Sequence, residues 1–311
     1  MALINAILNR VNCNASGEGG LGTAFCPIDA KMFVTLIRMP LGFKIAPDVD
    51  FNLEYVQEQQ QRGIFDVIPN IINMTDNTPE NAFSTQEGSG IQALTLKSPY
   101  LWNFSFNGGL YNFKSLVTRE SGGGYAYMAI DQAGNLFGAE DKQGNFKGLK
   151  AHLFSVAPYK AGNDNTHMVM LQTDRADFDK NVAWITAENL DFSGEDLTGW
   201  NDINLTLTAP VAGSSITFTV FAKSANKPVA LEGLEPSNFL ATSAGNTNVI
   251  TAVTPDALVS ENGKYVATLT TALTTGQTAT LRLFDSALNA NIILLEDAGM
   301  YKSNVATTVV V

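Results

Sequence analysis

The stretch "SSITFTVFA", Ser214 to Ala222, decides how the C-terminal third of this chain folds. Ile216, Phe218 and Val220 point to one side of such a run, and Thr217, Thr219 and Phe221 to the other. A period of two is that of a strand with one face in a core. Similar β-branched runs surround it: "INLTLTA" (203–209), "NTNVITAV" (246–253), "KYVATLTTAL" (264–273), "TATLRLF" (278–284), "NIILLE" (291–296) and "VATTVVV" (305–311). Gly, Pro, Asn and Asp break them about every ten residues, the spacing of an antiparallel sandwich. Within "ENGKYVATL" (261–269), Gly263 and then Tyr265 open a strand. That resembles the tyrosine corner of immunoglobulin-like sandwiches, in which the phenol closes a loop onto nearby backbone. There is no Cys…Trp…Cys set, which excludes an antibody-type domain. Residues 203–311 are therefore expected to form an immunoglobulin-like β-sandwich, with some other β-sandwich as the alternative.

Upstream the pattern is mixed but still mostly β. "KMFVTLIRM" (31–39) has the length of a strand. "IQALTLKS" (91–98) and "YLWNFSFNG" (100–108) read as paired strands, with Trp102, Phe104 and Phe106 on one face. "LYNFKSLVTRES" (110–121) carries Leu110, Phe113, Leu116 and Val117 as one helical stripe. "GGGYAYMAID" (122–131) supplies a strand, and "FKGLKAHLFSVAPY" (146–159) with "THMVMLQTD" (166–174) another pair. Between them "DQAGN" (131–135) and "DKQGN" (141–145) are turns whose Asp can cap and whose Gly can take positive φ. "TDNTPENAFSTQEGSG" (75–90) and the first thirty residues look irregular and exposed. Loops that long are usually functional or become ordered against a partner. The domain boundary falls in the acidic, turn-rich "AENLDFSGEDLTGWND" (187–202). The expected organisation is an extended N-terminal arm over 1–30, a β domain with a flanking helix over 31–202, and the sandwich over 203–311.

Composition narrows the function. The chain has 311 residues, room for two domains, and a net charge of −11. Lys and Arg number 14 against 23 Asp and Glu through Asp202, and 5 against 7 beyond it. Such a chain lacks the clustered Lys and Arg that grip nucleic acid. It has no apolar run of 18 residues, so no membrane-spanning helix is expected. "MALINAILNR" has neither a basic start nor a small-residue cleavage site, so no signal peptide is expected. Cys13 and Cys26 could pair across a short loop, but two lone thiols are the expectation.

Candidate chemistry is sparse. "GEGGLG", Gly17 to Gly22, has the G-x-G-x-x-G spacing of a dinucleotide site. Such a site needs a strand before it and a helix after it. Asn12 and Asn14 interrupt the first, and Pro27 blocks the second, so the cofactor assignment is rejected. His152 and His167 lie in alternating runs with no metal-spaced partner and read as strand residues. Asp174, Asp177 and Asp179 crowd together without the spacing of a calcium loop, and read as a solvated acidic turn. No G-x-S-x-G elbow supports a serine hydrolase, and sequence cannot show paired carboxylates facing across a cleft. No catalytic, cofactor or metal residue is assigned, and an enzyme is the least favoured class.

The segment "LWNFSFNGGLYNFKSLVTRESGGGYAYMAIDQAGNLFGAEDKQGNFKG" (101–148), with the glycine-rich arm before it and the sandwich after it, resembles tailed-bacteriophage tail tube (major tail) proteins. It is similar to structural proteins of phages that infect Bacteroidota. The resemblance spans about 30–200, in element order and texture, without a diagnostic motif. It implies a β-sandwich flanked by a helix, assembled as stacked homohexameric rings, in the tail of a virion built in the host cytoplasm. It also implies an acidic lumen that DNA crosses without binding, contacts with other virion proteins, and an outer domain free to touch host-surface glycans. Another virion component, a head decoration or tail-associated attachment protein, and a carbohydrate-binding surface adhesin are the alternatives.

Overall fold

The computed structural model describes residues 3–10, 30–85, 92–107, 110–120, 124–156, 166–210, 212–223, 227–255, 263–295 and 299–311. The "GEGGLG" loop, Cys13 and Cys26 lie outside the described residues. The protein is mainly β. It divides into two compact units, one of Met1–Val56 with Asp66–Leu197, the other of Gln57–Phe65 with Thr198–Val311. The division at Leu197 falls within the acidic stretch 187–202. The grouping of Gln57–Phe65 with the C-terminal residues has no counterpart in the sequence pattern.

Unit 1 begins with α1 (Ile4–Ile7) and β1 (Leu8–Arg10), then β2 (Phe33–Pro40). Helix α2 (Leu53–Gln61) follows, with its last residues in unit 2, then β3 (Asp66–Ile68) and β4 (Ile71–Asp76). Next come β5 (Ala82–Thr85), β6 (Gln92–Leu96), β7 (Tyr100–Asn107) and α3 (Leu110–Val117). The remainder is β8 (Tyr125–Asp131), β9 (Leu136–Glu140), β10 (Phe146–Lys147), β11 (Leu149–Ser155), β12 (Thr166–Thr173), α4 (Arg175–Asn181) and β13 (Val182–Ile185). Residues 3–10 do not form a free arm. Leu8–Arg10 pair with β13, Ile4 N–H donates to the Val49 carbonyl at 3.0 Å, and the Ile4 side chain is buried.

Strand β8 is the corner of this unit. One edge pairs with β2; the other pairs with β9 through Ala129 and Ile130, and with the start of β11 through Ala126 and Tyr127. Strand β11 then leaves β8 and pairs with β12 from Ala151 onward, continuing to β7 and β4. Gly148 sits where the chain enters β11 beside β8: a Cβ there would lie 2.7 Å from the Tyr127 amide nitrogen. The two halves enclose Phe33, Leu36, Trp102, Phe104, Phe106, Tyr127 and their neighbours. Phe33 meets Trp102 edge-on at 5.4 Å, so the alternation read in "YLWNFSFNG" is the one that builds the core. At the β2–β3 pair, Asp66 is buried and accepts two 2.8 Å bonds from Arg119, and the Arg38 guanidinium lies 2.8 Å from it. Arg38 also lies over the Tyr125 ring at 4.4 Å.

Unit 2 adds β14 (Asn201–Leu207), β15 (Gly213–Ala222), β16 (Lys227–Pro228), β17 (Phe239–Ser243), β18 (Asn246–Asn248) and β19 (Ile250–Pro255). It ends with β20 (Lys264–Leu273), β21 (Thr278–Leu283), β22 (Ile292–Leu295), β23 (Gly299–Ser303) and β24 (Ala306–Val309). One sheet runs β19-β20-β15-β14-β23-β22, with β16 on β15, and the other β18-β17-β21-β24. Ile216, Phe218 and Val220 are fully buried, as their alternation required, beside Phe239, Leu281 and Ile293. The Tyr265 hydroxyl donates to the Leu231 carbonyl at 2.8 Å and accepts from the Leu231 amide at 2.6 Å. This is a tyrosine corner with a difference. The loop it closes lies 34 residues upstream, beyond β16, not beside the tyrosine. Gly263, at φ +63°, makes room for that loop, because a Cβ would stand 2.4 Å from the Val229 carbonyl oxygen.

Candidate functional site

The residues singled out in the sequence do not converge. His167 is buried on β12 with its ring 5.2 Å from Phe113, and His152 stacks on Phe154 on β11. Both are strand residues, as read. The two Asp-x-x-Gly-Asn segments are near copies. Asp131 Oδ1 accepts from the amides of Ala133 and Asn135, and Asp141 Oδ1 from those of Gln143 and Asn145. Gly134 and Gly144 both take positive φ. Among the described residues no group of three His, Cys, Asp or Glu could hold a metal ion.

The Asp174–Asp179 segment differs from the expected turn: Arg175–Asn181 is helix α4. Its carboxylates serve different partners. Asp177 accepts from Lys147 Nζ at 2.9 Å and from Asn181. Burial opposes its charge, but these bonds outweigh burial and hold it below the ordinary carboxylate range. Asp179 accepts from the Tyr100 hydroxyl at 2.7 Å and from Arg175 Nε at 3.0 Å. It too is lowered against the effect of burial, while burial first and then Asp179 push the Tyr100 phenol up.

Helix α4 leads to the feature that sequence reasoning missed. The stretch 75–90, read as an irregular loop, contains strand β5, and β5 pairs with β6 as a two-stranded hairpin apart from the large sheet. The expected pairing of 91–98 with 100–108 is thereby corrected: β6 pairs with β5, and β7 pairs with β12 and β4. The reversal is local. Lys97, Ser98 and Pro99 separate β6 from β7, and Ser98 is turned inward.

An isolated hairpin is marginal in water, and this one is held by a polar collar at its base. Arg175 Nη1 donates to Asn81 Oδ1 at 2.7 Å and to the Ser98 carbonyl at 3.1 Å. Ser98 N–H donates to Asn81 Oδ1, and Ser98 Oγ donates to the Glu80 carbonyl at 2.9 Å. Below the collar, the Leu101 amide donates to Thr78 Oγ1. Beyond it the hairpin stands in solvent with apolar side chains outward. Phe83 is 56% exposed, Leu94 45% and Leu96 63%. Phe83 and Leu94 are cross-strand partners, so they share a face. Complete burial of a Phe or Leu side chain is worth about 1.5–3 kcal/mol. Phe83, Leu94 and Leu96 thus form an exposed apolar patch on the hairpin.

No protein-family model matches the chain, and no curated sequence is similar to it. Among solved structures, the N-terminal part of the bacterial S-layer protein SbsC is similar at 19% identity and a TM-score of 0.25. That likeness covers 35% of this chain and 23% of the SbsC chain. So loose a match carries no argument about fold or function.

Proposed function

We propose that this chain is a virion structural protein that assembles with itself, as the subunit of a tail tube. The observation that carries this is the collared hairpin: a rigid base with exposed Phe83, Leu94 and Leu96 beyond it. A hairpin of that kind gains stability when a neighbouring subunit covers it. The acidic balance suits a conduit that DNA crosses without being held, and the role is structural, not catalytic. Negative-stain electron microscopy of the purified chain should show rings or hollow tubes. Phe83→Asp with Leu94→Asp should leave particles absent and the thermal unfolding of the subunit unchanged. A wild-type chain that stays monomeric at high concentration would overturn the proposal.

A further inference from the structure

Beside the hairpin's root lies a concavity of about 260 Å³ lined by Lys97, Lys150, His152, Gln172, Asp174 and Arg175, with Pro99 and Thr173. Its floor is the outer face of the β11–β12 pair, where His152 and Gln172 are direct cross-strand partners. Its wall is Lys97, which follows the last residue of the hairpin stem, and the first residue of α4, Arg175. Three of the chain's 19 basic side chains meet here with Asp174, and Asp179 already pairs with Arg175, which leaves an excess of one positive charge. Asp174 stands 3.8 Å from Lys150 Nζ, and both are partly exposed. Lys97 is exposed.

We infer that this notch receives an Asp or Glu side chain from a second copy of the chain; the inference rests on the self-assembly proposed above. The argument is charge complementarity. Two copies that each carry −11 repel one another, and a local cationic site that meets a carboxylate offsets part of that repulsion. Lys97 directly follows Leu96 of the stem, so a copy that covers the stem comes close to the notch as well. The apolar contact supplies adhesion, and the notch fixes which part of the partner lies against the hairpin's root.

The test uses full-length protein. Equal amounts of unlabelled and ¹⁵N-labelled chain are assembled and treated with a zero-length carbodiimide, which joins a lysine amine to a carboxylate only in direct contact. Mass spectrometry should find Lys97 or Lys150 joined to an Asp or Glu of the other isotope. Lys97→Glu with Lys150→Glu should raise the concentration needed for assembly about tenfold in low salt, and far less at about 1 M salt, where screening shortens to about 3 Å. Lys97→Arg with Lys150→Arg should assemble as wild type. Assembled wild-type particles without cross-isotope links at either lysine, together with an unchanged salt profile in the Glu variant, would overturn the notch and leave self-assembly standing. Failure of the wild type to assemble would overturn both.

Discussion

Tyr265→Phe removes one oxygen and isolates the corner of unit 2. The hydroxyl is the partner of both the amide and the carbonyl of Leu231, at 2.6 and 2.8 Å, and Leu231 is only 4% exposed. Water does not replace the lost oxygen at so buried a position. Each backbone group left unpaired costs about 1–3 kcal/mol, so the pair sums to about 2–4 kcal/mol once partial relaxation is allowed. The ring stays: it stacks on Phe218 at 5.4 Å with 22° between planes, and Phe preserves that contact. Tyr265→Ala would add the loss of an aromatic from the core, about 3–5 kcal/mol more. Denaturant unfolding of the full chain measures the loss, and hydrogen exchange localises it, since the Leu231 amide should lose protection while β21 keeps its own. A loss below about 0.5 kcal/mol, the scale of an ordinary surface change, with Leu231 still protected, would refute the corner as a structural device.

Further expectations follow from the same geometry. Gly263→Ala forces a methyl against the Val229 carbonyl at a positive φ and should destabilise unit 2; combined with Tyr265→Phe the losses should not add, because both act on one loop. Asp66→Ala leaves Arg38 and Arg119 facing each other half-buried without their anion, and should cost about 3–5 kcal/mol in a denaturant melt. In acid, the carboxylates of Asp141, Asp177 and Asp179 are held low despite burial, by the bonds from Lys44, Lys147 and Tyr100 respectively. Their stabilisation is whole above the unfolded value of about 3.9 and is lost as pH falls below it through the lower folded values. Urea midpoints should therefore drop between about pH 4 and pH 2, and Asp141→Asn should flatten that drop.

Where one face of a strand is buried, the sequence declares it. Ile216, Phe218 and Val220, and Trp102, Phe104 and Phe106, all lie inward as their alternation requires. The Asp-x-x-Gly-Asn turns were equally legible, because the Asp Oδ1 makes its bonds within five residues. Helix α2 was not. Its buried residues include Gln59, Gln60 and Gln61, which periodicity counts as polar. Gln60 Nε2 donates to the Thr198 carbonyl at 2.8 Å and Gln61 to Asp285 at 3.2 Å, satisfaction that only the folded chain supplies. Strands β17 and β23 escaped because "FLATS" and "GMYKS" are short and interrupted by small or charged residues. In α3 the stripe holds at Leu116, which is buried, while Val117 is exposed. The hairpin stayed hidden for a different reason. Asn81, Ser98 and Arg175 are scattered over 94 positions, and only β-pairing brings them together.

That collar has a consequence for how the sequence can change over time. Asn81, Ser98 and Arg175 are each bonded to the other two, whereas the side chains of Phe83, Leu94 and Leu96 are largely exposed. Diverging descendants should keep or exchange Asn81 and Arg175 in concert, whereas position 98 meets both through its backbone amide and carbonyl and is not tied to them. The exposed stem residues should vary independently of that pair. Two rates of change would then separate the hairpin's anchored base from its exposed stem.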